Sequence, residues 1–580
     1  MANSLFRKKS IDSILSEGDQ GEHAHGLHRV LSVKDLTFFG IAAIIGAGSF
    51  SSLGDAVFKG GPGVVVLFII TGIACAFTAF CYSEFASRIP VAGSAYTYSY
   101  ASFGELFAWI IGWALIMEYS IGNIYVAFSW SDYFTSFLHK INVHIPDYLA
   151  CSYREAQKAV EEGSANEELI NAWNAAPKLG GLRIIFDLPA IIINLLITYL
   201  VYKGIKESRN FSNAMVILKL SIVALVILVG GALVFSNGLT FNWTPANDEG
   251  IRSFMPNGFS GVMAAVSGVF FAYIGFDAVS VLAEESKNPQ RDLPRGMIYS
   301  LVICTVVYIL LSLVLTGAVN YRKFDGVGDP LAFIFESSNL NIGWMQLLVS
   351  ICAVIAMTSV LLVFQMGQPR IWMSMSRDGL MPPVFQKIHS KFKTPSFATI
   401  VTGLVVGIPI LFTDKSFVLD FTSIATLFAF VLVCGGVLLI PRKEKIPGRF
   451  NMPYINAQFI YPLIIVLAIS LFAIYGGNYF SDAFNFDFSG DKDFTEGKAS
   501  FMDLATPKLS IIIFWFVCIV LSILSIIKKY SLIPLMGVTT CLYLLTGMTK
   551  SNWAWFLGWL ALGLVIYFLY GYKKSKLAVR

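Results

Sequence analysis

Lys219, Glu118 and Asp277 lie inside long apolar runs, where an ionised side chain has no water to solvate it. A charge at the centre of a bilayer costs about 2.5–3.5 kcal/mol on insertion scales, so each of the three needs a partner or a task. Lys219 falls nine residues past Asn210. That places it roughly 13 Å into its run at the rise of an α-helix, too deep to snorkel easily to an interface. Glu118 occupies the middle of Trp113-Ala114-Leu115-Ile116-Met117-Glu118-Tyr119, and Asp277 follows Phe271-Ala272-Tyr273-Ile274-Gly275-Phe276. Desolvation and a neighbouring carboxylate act in opposite senses on a lysine's proton affinity, so a Lys219–Glu118 pair can serve as a proton switch near physiological pH. The alternative is a static ion pair that pins two helices, although a lone structural pair rarely offsets its own desolvation. None of the six histidines falls in an apolar run. Any proton carried across would ride on the lysine and the carboxylates.

Two of the apolar runs break at their middles with matching vocabulary. Residues 36–58 carry Ile44-Ile45-Gly46-Ala47-Gly48-Ser49, and residues 259–283 carry the Phe271–Asp277 stretch. Lipid offers no partner to a freed backbone group, so a helix broken at mid-depth is tolerated only where it lines a cavity. Paired, glycine-interrupted spans in corresponding halves of a chain point to a solute-binding site. Glycines also let helices approach closely, which is the alternative reading of Gly46 and Gly48 taken alone. The matched pair favours the break.

The elements that must position these residues are membrane helices. Hydrophobic residues make up 56% of the 580 and charged residues 14%, where a soluble domain carries about 25% charged. Fourteen apolar runs are long enough to span: 34–58, 62–86, 103–133, 183–202, 211–236, 259–283, 296–320, 343–373, 396–413, 417–440, 458–477, 509–527, 530–547 and 552–571. With the N-terminus inside, 26 basic residues fall on the inner side and 14 on the outer, with Lys219 and Arg370 within spans. This excess obeys the positive-inside rule and places both termini in the cytoplasm. The net charge of +5 then reports orientation, and no nucleic-acid partner is expected. The first 33 residues are a polar cytoplasmic tail with no apolar run ahead of the first span, so no cleavable signal peptide is expected.

Two outer loops are long. Residues 134–182 include Tyr153-Arg154-Glu155-Ala156-Gln157-Lys158-Ala159-Val160, which reads as a short surface helix. Residues 478–508 carry Asp482, Asp487, Asp491, Asp493, Glu496 and Asp503, without the ordered spacing of a calcium loop, and read as a solvated loop. Seven cysteines lie in apolar runs and Cys151 lies in the first outer loop, so neither a disulfide framework nor a metal site is expected. There is no His-Glu-x-x-His, no Walker loop and no plausible Ser/His/Asp set, which argues against an enzyme. Broken helices with an isolated buried lysine suit alternating access better than a continuous pore.

At these residues the chain resembles the amino acid–polyamine–organocation superfamily, and within it the cationic amino acid transporter-like permeases of bacterial type. The resemblance rests on Ile44–Gly48 (IIGAG), Tyr82–Gly104 (YSEFASRIPVAGSAYTYSYASFG), Phe270–Pro294 (FFAYIGFDAVSVLAEESKNPQRDLP) and Met375–Pro382 (MSRDGLMP), and covers nearly all of 30–440. Ser49 departs from the aliphatic residue usual after the glycines. The resemblance implies an all-α leucine-transporter-type fold. Its 5+5 inverted repeats would occupy 34–236 and 256–441, and four peripheral helices 442–580.

The resemblance also implies a site. An amino acid's carboxylate would rest on the amides of Gly46, Ala47 and Gly48, where a half-helix N-terminus favours anions. Its ammonium would meet carbonyls of Ile44, Phe271, Ala272 and Ile274. Phe271 matches an aromatic gate, and Met357 faces the side-chain pocket. Lys219 falls where proton-coupled relatives place a lysine in the cavity that sodium-coupled relatives fill with an ion, and Thr358 and Ser359 would line that cavity. The expectation is a secondary active transporter in the plasma (bacterial inner) membrane that imports L-amino acids, neutral ones above all, by proton symport without a cofactor. The alternatives are an exchanger, a sodium-coupled symporter, or a transporter-like amino-acid sensor.

Overall fold

The computed structural model describes residues 5–10, 31–46, 48–89, 94–161, 166–204, 209–247, 250–392, 394–439, 450–475, 479–489 and 500–578. Ala47 and residues 478 and 490–499 of the acidic loop, including Asp491, Asp493 and Glu496, lie outside them. The chain is a polytopic all-α membrane protein. Among the described residues, eight helical stretches are long and apolar enough to cross a membrane, and the helices at 188–203, 396–410, 460–474 and 532–545 are shorter but also apolar.

The first span is broken, as its glycines suggest. Helix α1 (Val33–Ile44) begins with a capping box in which Ser32 and Asp35 satisfy each other's backbone N–H groups. It stops where Ile45 turns to φ −79°, ψ 92°. A wide turn over Gly48–Ser52 leads into α2 (Leu53–Gly60). Helices α3 (Val64–Arg88), α4 (Ser94–Ser102) and α5 (Glu105–Lys140) follow. The loop after α5 folds into α6 (Tyr153–Glu161), α7 (Glu167–Ala175) and a two-stranded hairpin, β1 (Lys178–Leu179) against β2 (Leu182–Arg183). It has a small core of its own around Cys151, Ala156, Ala172, Ala176 and Ile185. Asp187 then caps α8 (Leu188–Lys203), accepting from Ala190 N–H at 2.9 Å. Helix α9 (Arg209–Ser236) carries Lys219.

The second break lies after α10 (Gly258–Ala264) and α11 (Val266–Phe271), before a tighter 3₁₀-like segment Asp277–Glu285. Beyond it run α12 (Pro289–Ala318), α13 (Gly343–Arg377), α14 (Ser396–Ile410) and α15 (Lys415–Leu439). The last helices are α16 (Ile460–Tyr475), α17 (Phe501–Lys528), α18 (Leu532–Leu545) and α19 (Lys550–Ile566).

Apolar surface does not drive helices together in lipid, so close packing and interhelical hydrogen bonds have to. Helices α5, α8 and α13 show both. Asn123 donates to Gln365, Gln365 to Thr198 at 2.8 Å, and Gln368 to Ser120 at 2.6 Å. The indole of Trp113 donates to the Trp559 carbonyl at 2.8 Å, the Trp559 indole returns a bond to the Trp113 carbonyl at 3.1 Å, and their rings stack 4.6 Å apart. These bonds fasten α19 to α5.

The two breaks touch. A Cβ at Gly48 would lie 2.6 Å from the Ala272 Cα, and one at Gly275 would lie 2.9 Å from the Ala43 side chain. Gly275 also sits at φ 115°, a conformation that side-chain-bearing residues rarely adopt. Gly275→Ala is expected to destabilise the protein by about 1–3 kcal/mol from backbone strain, with the clash in addition. Gly558→Ala, where a Cβ meets nothing within 4 Å, is expected to leave stability unchanged or slightly raised. Thermal unfolding in detergent distinguishes the two, and equal midpoints would show that the second break does not depend on glycine.

Candidate functional site

The backbone between the half-helices is where a solute could find unused hydrogen-bonding groups. Ile45 N–H closes the last turn onto Ile41 at 2.8 Å, and Phe50 N–H returns to the Gly46 carbonyl at 3.0 Å. Between them, Gly46 donates no backbone hydrogen bond among the described residues. Gly46 packs against Val360, where a Cβ would come within 2.6 Å of a side-chain methyl. The glycines therefore serve close packing as well as the break. Tyr308 donates to the Ile44 carbonyl at 2.9 Å, and Ile274 N–H donates to the Phe271 carbonyl at 3.1 Å. A carbonyl has two acceptor positions, so both retain capacity for a second donor.

Of the residues expected to bind solute, Ile44, Gly46, Gly48, Phe271, Ala272 and Ile274 fall at this crossing of the two breaks, and Met357 is fully buried on α13. Ala47 lies outside the described residues. The Phe271 ring rests on Tyr125 of α5 with centroids 4.5 Å apart, and the Tyr125 hydroxyl donates to Ser51 Oγ at 3.4 Å. Tyr125 was not singled out from the sequence; the signal was an aromatic four residues from Ile121 on a run otherwise read for its carboxylate.

Lys219 is 2% exposed, and its Nζ donates to the Ala42 carbonyl at 3.1 Å. It thus joins α9 to the last turn of α1, next to the break. Asn213, nearly two turns earlier on α9, donates to Asp35 at 3.3 Å and makes a second joint between the same helices. The expected Lys219–Glu118 pair is not formed: the ion pairs among the described residues do not include it. Glu118 is instead hydrogen-bonded to Thr426 of α15 and has Asp277 as its charged neighbour. The Asp277 carboxylate is in turn held by backbone groups of Gly275, Asp277 and Ala278, as a helix-starting carboxylate. Thr358 has other hydrogen-bond partners in addition. It accepts from the Trp130 indole at 3.0 Å and donates to Val354 at 2.8 Å, while Ser359 donates to Ala356 at 3.1 Å.

A second polar cluster covers the end of the site that lies toward the loop of α6 and α7. Asp132 at the end of α5 pairs with Lys415 at the start of α15. Lys415 Nζ also donates to the Gly328 carbonyl at 3.3 Å and lies 5.7 Å from the centroid of the Tyr125 ring. Ser51 donates to the same Gly328 carbonyl at 3.2 Å. Nearby, Asp329 is half-buried, but its Oδ2 is shut off from solvent and has no hydrogen-bond partner. Burial, opposed by a Ser136 hydrogen bond and reinforced by Glu336 and Asp132, pushes the Asp329 carboxyl up to about 7.

These features define an α-helical membrane protein whose discontinuous helices cross beside a buried lysine. The chain belongs to the amino acid permease family: residues 31–488 match the family model, and 530–575 match the model for the family's C-terminus. It is thus a membrane transporter of the amino acid–polyamine–organocation superfamily. It is 40% identical over 477 residues to the branched-chain amino acid permease BcaP of Bacillus subtilis, covering 82% of this chain and 92% of that one. It is 39% identical over 457 residues to the methylthioribose transporter of the same organism, covering 78% and 89%. It is 35% identical over 462 residues to the vacuolar cationic amino acid transporter 2 of Arabidopsis thaliana, covering 79% and 67%.

The Asp329 carboxyl gives a pH signature. Its folded value near 7 exceeds the ordinary value of about 3.9, so the native chain holds a proton there that the unfolded chain has lost. The site therefore costs stability progressively as pH rises from about 4 to about 7, is fully costly above about 7 and costs little below about 4. Asp329→Asn is expected to raise the thermal midpoint most at pH 8, less at pH 5, and little at pH 4. An equal change at all three values would show that Asp329 ionises normally.

Proposed function

We propose that this protein imports small or medium neutral L-amino acids together with protons, by alternating access around the crossing of its two broken helices. In this reading the fourteen expected spans all cross the membrane, with 5+5 inverted repeats in 34–236 and 256–441. Both termini are cytoplasmic, and the α6–α7 loop faces outward from the plasma (bacterial inner) membrane. The observation that carries the reading is Lys219 Nζ on the Ala42 carbonyl, buried beside the break. The family membership and the branched-chain relative support amino acids as cargo.

The substrate carboxylate is taken by the amides at Gly46–Gly48, of which Gly46 N–H donates no backbone bond among the described residues, and the ammonium by the remaining acceptor positions of Ile44, Phe271, Ala272 and Ile274, beneath the Phe271 ring. Protonated Lys219 holds α9 to α1. When it loses its proton it loses a charge-assisted bond worth about 1.5–3 kcal/mol. A loss of that size shifts a two-state equilibrium by one to two decades. Thr358 and Ser359 spend their O–H groups on Val354 and Ala356 and keep acceptor lone pairs for this lysine, and Glu118 enters through Asp277 and Thr426 rather than through the lysine. Met357 offers the substrate side chain a thioether, which fills volume and gives no counter-charge to a guanidinium.

Proteoliposomes with separately imposed proton and sodium gradients test the coupling. An inward proton gradient is expected to drive accumulation. Lys219→Ala is expected to abolish that drive while sparing substrate binding, and Lys219→Arg to fail as well, because a guanidinium keeps its charge. Uptake that needs sodium and ignores pH would overturn the proton assignment. For cargo, neutral amino acids are expected to compete against labelled substrate better than arginine does, with methylthioribose as a control suggested by the second relative. Met357→Ser is expected to admit longer side chains. Tight arginine binding without competition from alanine or leucine would sink the neutral reading.

A further inference from the structure

Helix α6 is fastened to the first residues of α15 rather than lying free on the surface. The Lys415 backbone N–H donates to Glu155 at 3.0 Å, and Lys158 Nζ meets the buried carboxylate of Asp414 at 3.1 Å, with Arg154 at 3.9 Å. Asp414 also caps α15 by accepting from Phe417 N–H at 2.9 Å. Both ends of this attachment are stiff. The α6–α7 loop has its own packed core, closed by Arg183 stacked 4.7 Å from the Trp173 ring centroid. Helix α15 is tied to α11 by Ser423 donating to the Ser267 carbonyl at 3.0 Å.

What α6 holds in place is the cover of the site. Lys415 joins α15 to α5 through Asp132 and to the loop before α13 through the Gly328 carbonyl. That same carbonyl receives Ser51 from the first break, so three elements meet at one acceptor. The fit is tight, since a Cβ at Gly328 would lie 2.6 Å from the Asp132 carboxylate. Tyr133 adds a further joint, donating to the Phe50 carbonyl at 2.5 Å. Directly beneath Lys415 are the Tyr125 ring and then Phe271.

We infer that α6 is the latch of the outer gate. Glu155 and Lys158 fix the start of α15 so that Lys415 bridges Asp132 and Gly328 and covers Tyr125 and Phe271. The inference rests on the alternating-access reading above for the word outer and for what the gate admits. The latch itself is a statement about which contacts keep the cover closed. Opening requires α15 to leave Asp132 and Gly328, and α6 opposes that by holding the α15 N-terminus from the other side. Tyr125 is then a positioning residue: it transmits the closed state from Lys415 to Phe271 by ring contact.

Hydrogen–deuterium exchange on the full-length protein in liposomes, read by mass spectrometry, tests the latch without reference to substrate or coupling ion. In the Glu155→Gln/Lys158→Met variant, exchange across 325–332 and 414–420 is expected to rise about tenfold, the loss of one charge-assisted bond from a local opening equilibrium. Protection in α7 and α8 is expected to stay unchanged. Lys158→Arg is expected to retain protection. Exchange that rises only within α6, or throughout α6–α8 with a lowered thermal midpoint, would reduce α6 to a structural surface helix and overturn the inference. Unchanged exchange at 325–332 would also overturn it. In the same liposomes, substrate uptake with the wrong ion or cargo would fall on the proposed function alone, leaving the exchange result to decide the latch.

Discussion

Backbone groups freed in hydrocarbon have to be satisfied or used, and the two broken helices meet that constraint together. Each break supplies the other with a close backbone neighbour, Gly48 against Ala272 and Gly275 against Ala43. The carbonyls opened by the breaks are taken up by side chains from surrounding helices: Tyr308 on Ile44, Lys219 on Ala42, and Ser52 shared between Gly48 and Gly268. These partners come from α9, α12 and the first break itself. A change in the position of α1 therefore has to exchange hydrogen bonds with several helices at once. That requirement couples the local interruption to the helices around it.

The surrounding frame is held by a different device. Helices α5, α8 and α13 share the Asn123–Gln365–Thr198 and Gln368–Ser120 bonds, and α19 is stapled to α5 by the reciprocal tryptophan bonds. Such interhelical polar contacts are individually modest, of order 1 kcal/mol in membranes. Their value lies in number and in direction, because each fixes helix rotation as well as proximity. The frame thus presents Tyr125 and Met357 from helices whose rotation is set by polar bonds elsewhere along their length.

The breaks were legible because glycine and the loss of apolar periodicity are local properties of sequence. The apolar runs were legible for the same reason, and each coincides with helical structure, although the helix ends moved: the third run extends to Lys140, beyond the expected 133. The surface helix at 153–160 was legible from its amphipathic spacing and appears as Tyr153–Glu161. Pairing between spans was not. Lys219 and Glu118 have similar depth, but depth does not give helix rotation, and the two side chains turn to different neighbours. Thr358 was singled out, but its bond from Trp130 was not legible, since nothing local announces which indole reaches its hydroxyl. The Asn123, Gln365 and Gln368 ladder did leave a signal. Polar residues at helical spacing in two apolar runs, Ser120 with Asn123 and Gln365 with Gln368, mark faces that meet. The Lys415 cluster left none, because its partners come from five separate stretches of chain.

The first span is consequently held at two ends by unrelated chemistry. Its first half, α1, is tied to α9 through Lys219 and Asn213, and its second half reaches the Gly328 carbonyl through Ser51. A continuous helix would make these attachments rigidly dependent, since lifting one end would drag the other. The interruption after Ile45 leaves Gly46 N–H without a backbone acceptor among the described residues and puts a wide turn over Gly48–Ser52, so no continuous α-helical ladder transmits that motion. Each half can then leave its partners while the other stays bound, which is the mechanical condition for opening one face of the protein with the opposite face closed. The proposed solute site sits between the two attachments, so a ligand bridging Gly46–Gly48 and the Phe271–Ile274 stretch would be felt by both.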